Sequence, residues 1–273
     1  MKYACLSDIH GNIEAFHTCI KDAVEKGVNG FILVGDYITD FPFENETIEM
    51  IQELEQQYPC YIIKGNREDS VIHQSENHEY KIGSNEESIY YTAFYLTKAH
   101  INYLKKLPDV ITENFGHYKV SISHKMEQAD EADVIISGHT HLQSSIYDEG
   151  VLYVNPGSVG ENADGRLGAT YSIITFGEKV EVEENIVEYD REKVVAQLRD
   201  SYMSHLRDHW GELNCKTIEN GYSMTLNYLK NMITIAEDHG YSNDLDEVPP
   251  HLWNEGFELT MKQMEEMKQK SSM

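Results

Sequence analysis

The stretch Asp8-Ile9-His10-Gly11-Asn12 follows directly on the apolar run 2–7, and its reading decides the fold. The run predicts a buried strand. The chain then turns at Gly11 into a helix over 13–26, where Ile13, Phe16, Ile20, Ala23 and Val24 recur at helical spacing and Gly27 serves as C-cap. One carboxylate and one imidazole, two residues apart, thus stand at the carboxyl end of a strand. In open α/β sheets this edge is where ligands bind. An Asp with a His makes a mixed oxygen and nitrogen half-site, suited to Mn, Fe or Zn. Taken singly, such a pair reads more readily as a turn with a polar cap, so the other strand ends decide.

Working outward, 31–34 predicts a second buried strand that ends in Gly35-Asp36, and 44–57 an amphipathic helix carrying Ile48, Ile51 and Leu54 on one face. A third strand over 61–63 ends in Gly65-Asn66-Arg67-Glu68-Asp69. Strands and helices alternating this closely imply right-handed crossovers and a mainly parallel sheet. Residues 70–83 are polar and irregular and are expected to form a loop; 86–106 is helical and stopped by Pro108. The period then changes. Segments 110–113 and 118–123 predict a hairpin around Phe115-Gly116-His117, with His124 after its second strand. A strand over 134–137 ends in Gly138-His139-Thr140-His141, and strands 151–154, 169–176 and 180–187 are expected to complete a second, mostly antiparallel set. Two sheets face to face with helices outside is the economical arrangement. From 190 onward helices are predicted over 194–209, 222–239 and 257–268, with Val248-Pro249-Pro250 breaking the last two and a disordered end at 269–273. No Gly/Ser-rich linker marks the change of period near 190, so a packed helical module is expected.

A chain of 273 residues can bury a large domain and a smaller appendage. No run approaches the roughly 18 apolar residues of a membrane helix, and no charged-then-apolar signal opens the chain. The expectation is a soluble cytoplasmic protein without a membrane partner. Cys5, Cys19, Cys60 and Cys215 are scattered without C-x-x-C spacing, as fits reduced thiols. The net charge of −25 argues against nucleic acid as partner, because phosphate backbones demand a basic surface. A small phosphorylated substrate stays compatible where bound cations supply positive charge locally.

Collected from the strand ends, Asp8, His10, Asp36, Asn66, His124, His139 and His141 amount to two carboxylates, one amide and four imidazoles. Individually, Asp36 could cap a segment, Asn66 could close an Asx-turn and His124 could be a core histidine. Together they exceed what one ion needs, and two ions sharing a bridging carboxylate is the natural count.

These motifs, in this order, resemble the calcineurin-like metallophosphoesterases, over roughly residues 1–190. Asn155-Pro156-Gly157-Ser158 is similar to the small bacterial branch that includes phosphodiesterases. The resemblance implies a four-layer αββα sandwich of two mixed sheets. It implies one ion on Asp8, His10 and His141, another on Asn66, His124 and His139, and Asp36 between them. Asp36, Asn66, Arg67 and His124 become the catalytic candidates, with a metal-bridging hydroxide as attacking group. The exit Val187-Glu188-Tyr189-Asp190 and the aromatic helices after it resemble, less specifically, bacterial enzymes that cleave diadenosine tetraphosphate asymmetrically. The domain division implied is a metallophosphoesterase unit at 1–190 and a helical cap at 191–273.

Two departures matter. Family phosphatases carry a histidine acid after the Gly-Asn, and here the residue is Arg67; only 13 residues separate His124 from Gly138, so the mouth is expected to be open there. Without that acid a good leaving group is favoured, as in nucleotide phosphodiesters or dinucleoside polyphosphates. Arg67 could instead pair with Glu68 or Asp69, and Arg166 could reach a phosphate or be a solvated turn residue. His73, His78 and His117 read as surface loop histidines, and Tyr90, Tyr91 and Tyr95 as core. The competing readings are a non-catalytic scaffold, which loss of ligands would mark, and a protein phosphatase, which lacks its acid here.

Overall fold

Lys2–Leu6 forms β1, the middle strand of its sheet, and the next four elements follow the predicted alternation: α1 (Ile13–Glu25), β2 (Gly30–Leu33), α2 (Glu44–Gln57) and β3 (Cys60–Ile62). The computed structural model describes residues 1–78, 86–206, 209–241, 245 and 248–271. The chain continues with α3 (Asn66–Asn77), α4 (Glu86–Tyr95), α5 (Lys98–Leu104), β4 (Val110–Phe115), β5 (Tyr118–Ser123) and β6 (Val134–Ile136). It then forms β7 (Ser144–Asp148), β8 (Val151–Asn155), β9 (Ala169–Phe176) and β10 (Val180–Val187), followed by α6 (Arg191–Asp200), α7 (Trp210–Asn220), α8 (Met224–Asp238) and α9 (Pro250–Ser271).

The strands build two five-stranded mixed sheets, ordered β10-β9-β1-β2-β3 and β4-β5-β6-β8-β7. This is the expected α/β sandwich with helices at the C-terminal end. One assignment needs correcting. β9 and β10 do not extend the second sheet; β9 pairs antiparallel with β1, Tyr3 opposite Ile174. Their place in the second sheet is taken by β7, which pairs antiparallel with β8. β1, β2 and β3 run parallel, and so do β5, β6 and β8. Each sheet therefore gathers several carboxyl ends at one edge. Between the sheets, Cys5, Ile32 and Val34 meet Val120, Ile122 and Ile136 in one buried cluster. Each such aliphatic side chain contributes about 1.5–3 kcal/mol on burial.

Further expectations change. The loop expected over 70–83 is helical as far as Asn77, with His78 capping it in left-handed backbone (φ 54°); 79–83 lies outside the described residues. His73 is thus on a helix, although it, His78 and His117 are exposed as expected. Helix 194–209 is instead α6 and a short 3-10 turn (Tyr202–His205), and α7 was not foreseen. Pro250 opens α9, where a missing N–H costs nothing, and that helix runs to Ser271, past the expected disorder at 269; 272–273 lie outside the described residues. Of the three tyrosines expected in the core, Tyr90 and Tyr91 are half-buried and Tyr95 is 46% exposed, with its ring 4.6 Å from that of Tyr202.

The C-terminal helices share a buried cluster that contains Trp210, Leu213, Tyr228, Met232 and Trp253. Phe41, from the loop after β2, sits in the same cluster, and Tyr91 and Tyr189 pack against it. A chain cut after Asp190 should therefore expose Phe41 and aggregate, as read by light scattering and dye binding. A soluble 1–190 fragment melting at the temperature of the whole chain would show that the helices do not cover it.

Candidate metal centre

Six of the seven residues drawn from strand ends come together in two groups. Among the described residues, Asp8, His10 and His141 offer ligand atoms within 4.8 Å of one another, and so do Asp36, His124 and His139. His141 Nε2 stands 3.3 Å from Asp8 Oδ1 and 3.2 Å from His10 Nε2, while His124 Nε2 stands 3.3 Å from Asp36 Oδ2 and 4.0 Å from Asp8 Oδ1. Asn66 opens α3, and its side-chain oxygen is buried without a hydrogen-bond partner.

The backbone at these positions is unusual. Asp8 (φ 55°), His10 (55°), Asp36 (53°), His139 (68°) and His141 (59°) all occupy the left-handed region, which residues other than glycine seldom adopt. Such conformations cost on the order of 1–3 kcal/mol each and persist where surrounding bonds over-determine them. Here Asp8 N–H donates to the Gly35 carbonyl (3.1 Å), His10 N–H to Asp36 (2.9 Å) and His139 N–H to Asp8 Oδ2 (3.1 Å). Two glycines permit the close approach. A Cβ on Gly65 would lie 2.2 Å from Asp36 Oδ1, and one on Gly138 1.9 Å from Ser7 Oγ.

Two imidazoles are oriented by main-chain carbonyls. His124 Nδ1 donates to Val34 (2.7 Å) and His141 Nδ1 to Glu161 (2.8 Å), so each turns Nε2 inward. His10 Nδ1 faces the Asp40 carboxylate at 2.7 Å. Asn155 Nδ2, from the Asn-Pro-Gly-Ser motif, holds the His139 loop through the Gly138 carbonyl (2.8 Å).

The electrostatics mark a place that attracts cations. Burial alone would lower the His124 imidazole, but the Asp36 and Asp8 carboxylates override it and push it up to about 10. His10 goes to about 9 for the same reason, with Asp40 as the main carboxylate. Asp36 is held well below the usual carboxylate range, since His124 outweighs its burial. Asp8 Oδ1, Asn66 Oδ1 and His124 Nε2 are all buried and have no hydrogen-bond partner in the protein. Buried acceptors and an imidazole nitrogen left unmet are the donor types that divalent cations take.

Sequence reasoning missed three residues. Glu68 is fully buried and accepts backbone N–H groups of Asp36 (2.8 Å), Tyr37 (2.8 Å) and Gly65 (2.7 Å), joining two strand-end loops. Burial and the neighbouring Asp36 charge push its carboxyl up to about 7. A signal existed, since Glu three residues past Gly65 is a capping position. Asp40 and Glu161, both buried, carried none. Glu68 thus does not pair with Arg67, and Asp69 pairs with Lys64 at 2.7 Å. The Arg67 guanidinium lies 3.6 Å from Asp40 Oδ2, and its backbone N–H donates to Asp36 Oδ1 (2.8 Å). Arg166 is engaged by Asp164 (2.7 Å) and Gln143 (3.0 Å), partners outside the ligand set. The 13 residues between His124 and Gly138 hold one 3-10 turn, Met126–Gln128, and His139 is exposed.

The chain is 28% identical to the Methanocaldococcus jannaschii protein MJ0912 over 228 residues, 71% of this chain and 90% of that one. Two solved structures share the fold. The metallophosphoesterase from Sphaerobacter thermophilus is 21% identical, with a TM-score of 0.63 over 80% of this chain and 98% of its own. The Pyrococcus horikoshii protein PH1004 is 18% identical, with a TM-score of 0.68 over 81% and 98%. The pattern of the calcineurin-like phosphoesterase superfamily domain matches residues 1–179, and it is to this superfamily, whose members bind divalent metals and act on phosphoesters, that the chain belongs.

Proposed function

We propose that the chain hydrolyses phosphodiester or phosphoanhydride bonds of small nucleotide-like substrates with two divalent cations, Mn, Fe or Zn. The observation that carries this reading is the pair of ligand groups, Asp8 with His10 and His141 and Asp36 with His124 and His139, in which Asp8 Oδ1 and His124 Nε2 are buried without a hydrogen bond. One cation belongs to Asp8, His10 and His141, and the other to Asn66, His124 and His139, with Asp36 serving both. Bound cations supply an ionised water as nucleophile at neutral pH and neutralise charge on the phosphoryl group. The residues do the rest. Arg67 N–H pins one oxygen of Asp36, which leaves the other turned toward His124. The carbonyls behind His124 and His141 keep both rings from rotating.

Arg67 sets the substrate class. A guanidinium has no proton to give at accessible pH, but it grips phosphate oxygens in pairs. Substrates should therefore bring a good leaving group and a further phosphate, as dinucleoside polyphosphates do. The net charge of −25 disfavours polymeric nucleic acid. A non-catalytic scaffold is disfavoured by the retention of all seven ligand candidates, and a protein phosphatase by Arg67. We take 1–190 as the catalytic unit and 191–273 as a helical cap. Among the described residues no helix is long and apolar enough to cross a membrane, and the four free cysteines fit work in a reducing cytoplasm.

Chelation should abolish hydrolysis, and Mn, Fe or Zn should restore it. Asp36→Asn should lose more activity than His139→Ala, because its carboxylate serves both ions. Metal-free protein that still hydrolyses nucleotides would end this reading. Arg67→Ala should weaken kcat/KM for dinucleoside polyphosphates by about 1.5–3 kcal/mol, the range of a charged hydrogen bond, and much less for an aryl phosphodiester. Equal losses on both substrates would make Arg67 a structural residue.

A further inference from the structure

Asp40 lies outside the ligand set, yet four side chains converge on its carboxylate. Its side chain is 1% exposed. One carboxylate oxygen, Oδ2, meets His10 Nδ1 at 2.7 Å, Thr39 Oγ1 at 2.9 Å and Arg67 Nη2 at 3.6 Å. The other accepts the indole N–H of Trp210. The backbone carbonyl of Asp40 accepts Asn214 Nδ2 at 2.7 Å. Trp210 and Asn214 are one turn apart on α7, so a single helix face holds the residue by both its side chain and its main chain. Thr39 (φ 77°) and Asp40 (φ 70°) are consecutive left-handed residues, and the next residue, Phe41, is buried in the core of the C-terminal helices.

The chemistry on the other side of Asp40 follows from its acceptor character. A carboxylate 2.7 Å from Nδ1 favours a proton on that nitrogen, which would leave Nε2 for an ion. Nε2 of His10 is the atom that faces Asp8 and His141. The same carboxylate anchors the guanidinium that the proposed function assigns to phosphate.

We propose that Asp40 is a positioning residue through which α7 sets one half of the metal centre: Trp210 and Asn214 fix Asp40, which fixes the His10 tautomer and the Arg67 guanidinium. This rests on the two-cation reading above and adds a partner for it, namely a helix beyond the matched domain. The helical segment then acts on the reaction without touching substrate. The two halves of the centre also become unequal, because only the His10 half depends on α7.

The test is Mn²⁺ titration of the chelated full-length chain by calorimetry, with melting of the metal-free protein as control. Wild type should bind two ions. Asp40→Asn keeps the volume but offers one acceptor oxygen to several donors. It should weaken one of the two sites by about 10–100-fold, the usual effect of removing an orienting partner, and leave the other unchanged. Trp210→Phe keeps the ring and removes only the N–H, and it should weaken the same site less. In a His10→Ala background neither change should alter the remaining affinity, whereas in a His139→Ala background both should. A merely structural role would lower the metal-free melting temperature and weaken both sites in step. That result, or two sites as tight as in wild type in both variants, overturns the proposal. Should Asp40→Asn fail to fold, Trp210→Phe decides alone. Wild type that binds no ion would instead remove the two-cation reading itself.

Discussion

Asp8 and Asp36 hold two carboxylates in a buried space with little but imidazole around them, and most of the local architecture answers that charge. Unpaired carboxylates are prohibitively costly to bury, so such a pair persists only where counter-charge is built in or bound. The chain provides part of it through His124, His141 and Arg67, whose protonated forms the carboxylates favour. Cations taken up there would displace the imidazole protons and supply the counter-charge instead. Glycines at 65 and 138 let backbone come as close as the carboxylates need, and left-handed backbone at five ligand positions turns the side chains to one point. Glu68 secures the arrangement from behind. It spends its acceptors on three amides, so that the loops after β2 and β3 cannot drift apart.

How much of this was legible depends on what each residue reveals by itself. Strands β1, β2, β3, β5 and β6 declare themselves by apolar runs, and the ligand candidates follow those runs directly. β9 and β10 also alternate legibly, but alternation does not name a partner strand. An antiparallel strand can join either sheet of a sandwich, and β9 joins β1. Helix α3 escaped because its buried face carries Glu68 and Gln74 beside Val71, so its apolar period is broken by polar residues with tertiary partners.

The same physics hid the supporting residues of the centre. Asp40, Glu68 and Glu161 look like three more surface acids in a chain with 47 acidic residues. Only the fold shows them to be buried, and only burial gives a carboxylate influence over a neighbour's ring or backbone. Arg67 shows the converse. Its neighbours in sequence, Glu68 and Asp69, are the obvious ion-pair partners, yet the helical turn carries one inward to amides and the other to Lys64. Asp40, 27 positions away in sequence, is the carboxylate left for the guanidinium.

The strongly acidic surface and a phosphate substrate are reconciled by range. In physiological salt, exposed charges act over a Debye length of roughly 8 Å, so a net charge of −25 spread over the surface is felt weakly by a ligand already in the mouth. Inside, bound cations and Arg67 would act at contact distance in a medium that screens them far less. A small substrate has to cross the outer field once and then meets concentrated positive charge. An extended polyanion would lie across the acidic surface along its whole length. The charge pattern would thus discriminate by size as well as chemistry, and the short turn between β5 and β6 leaves His139 exposed.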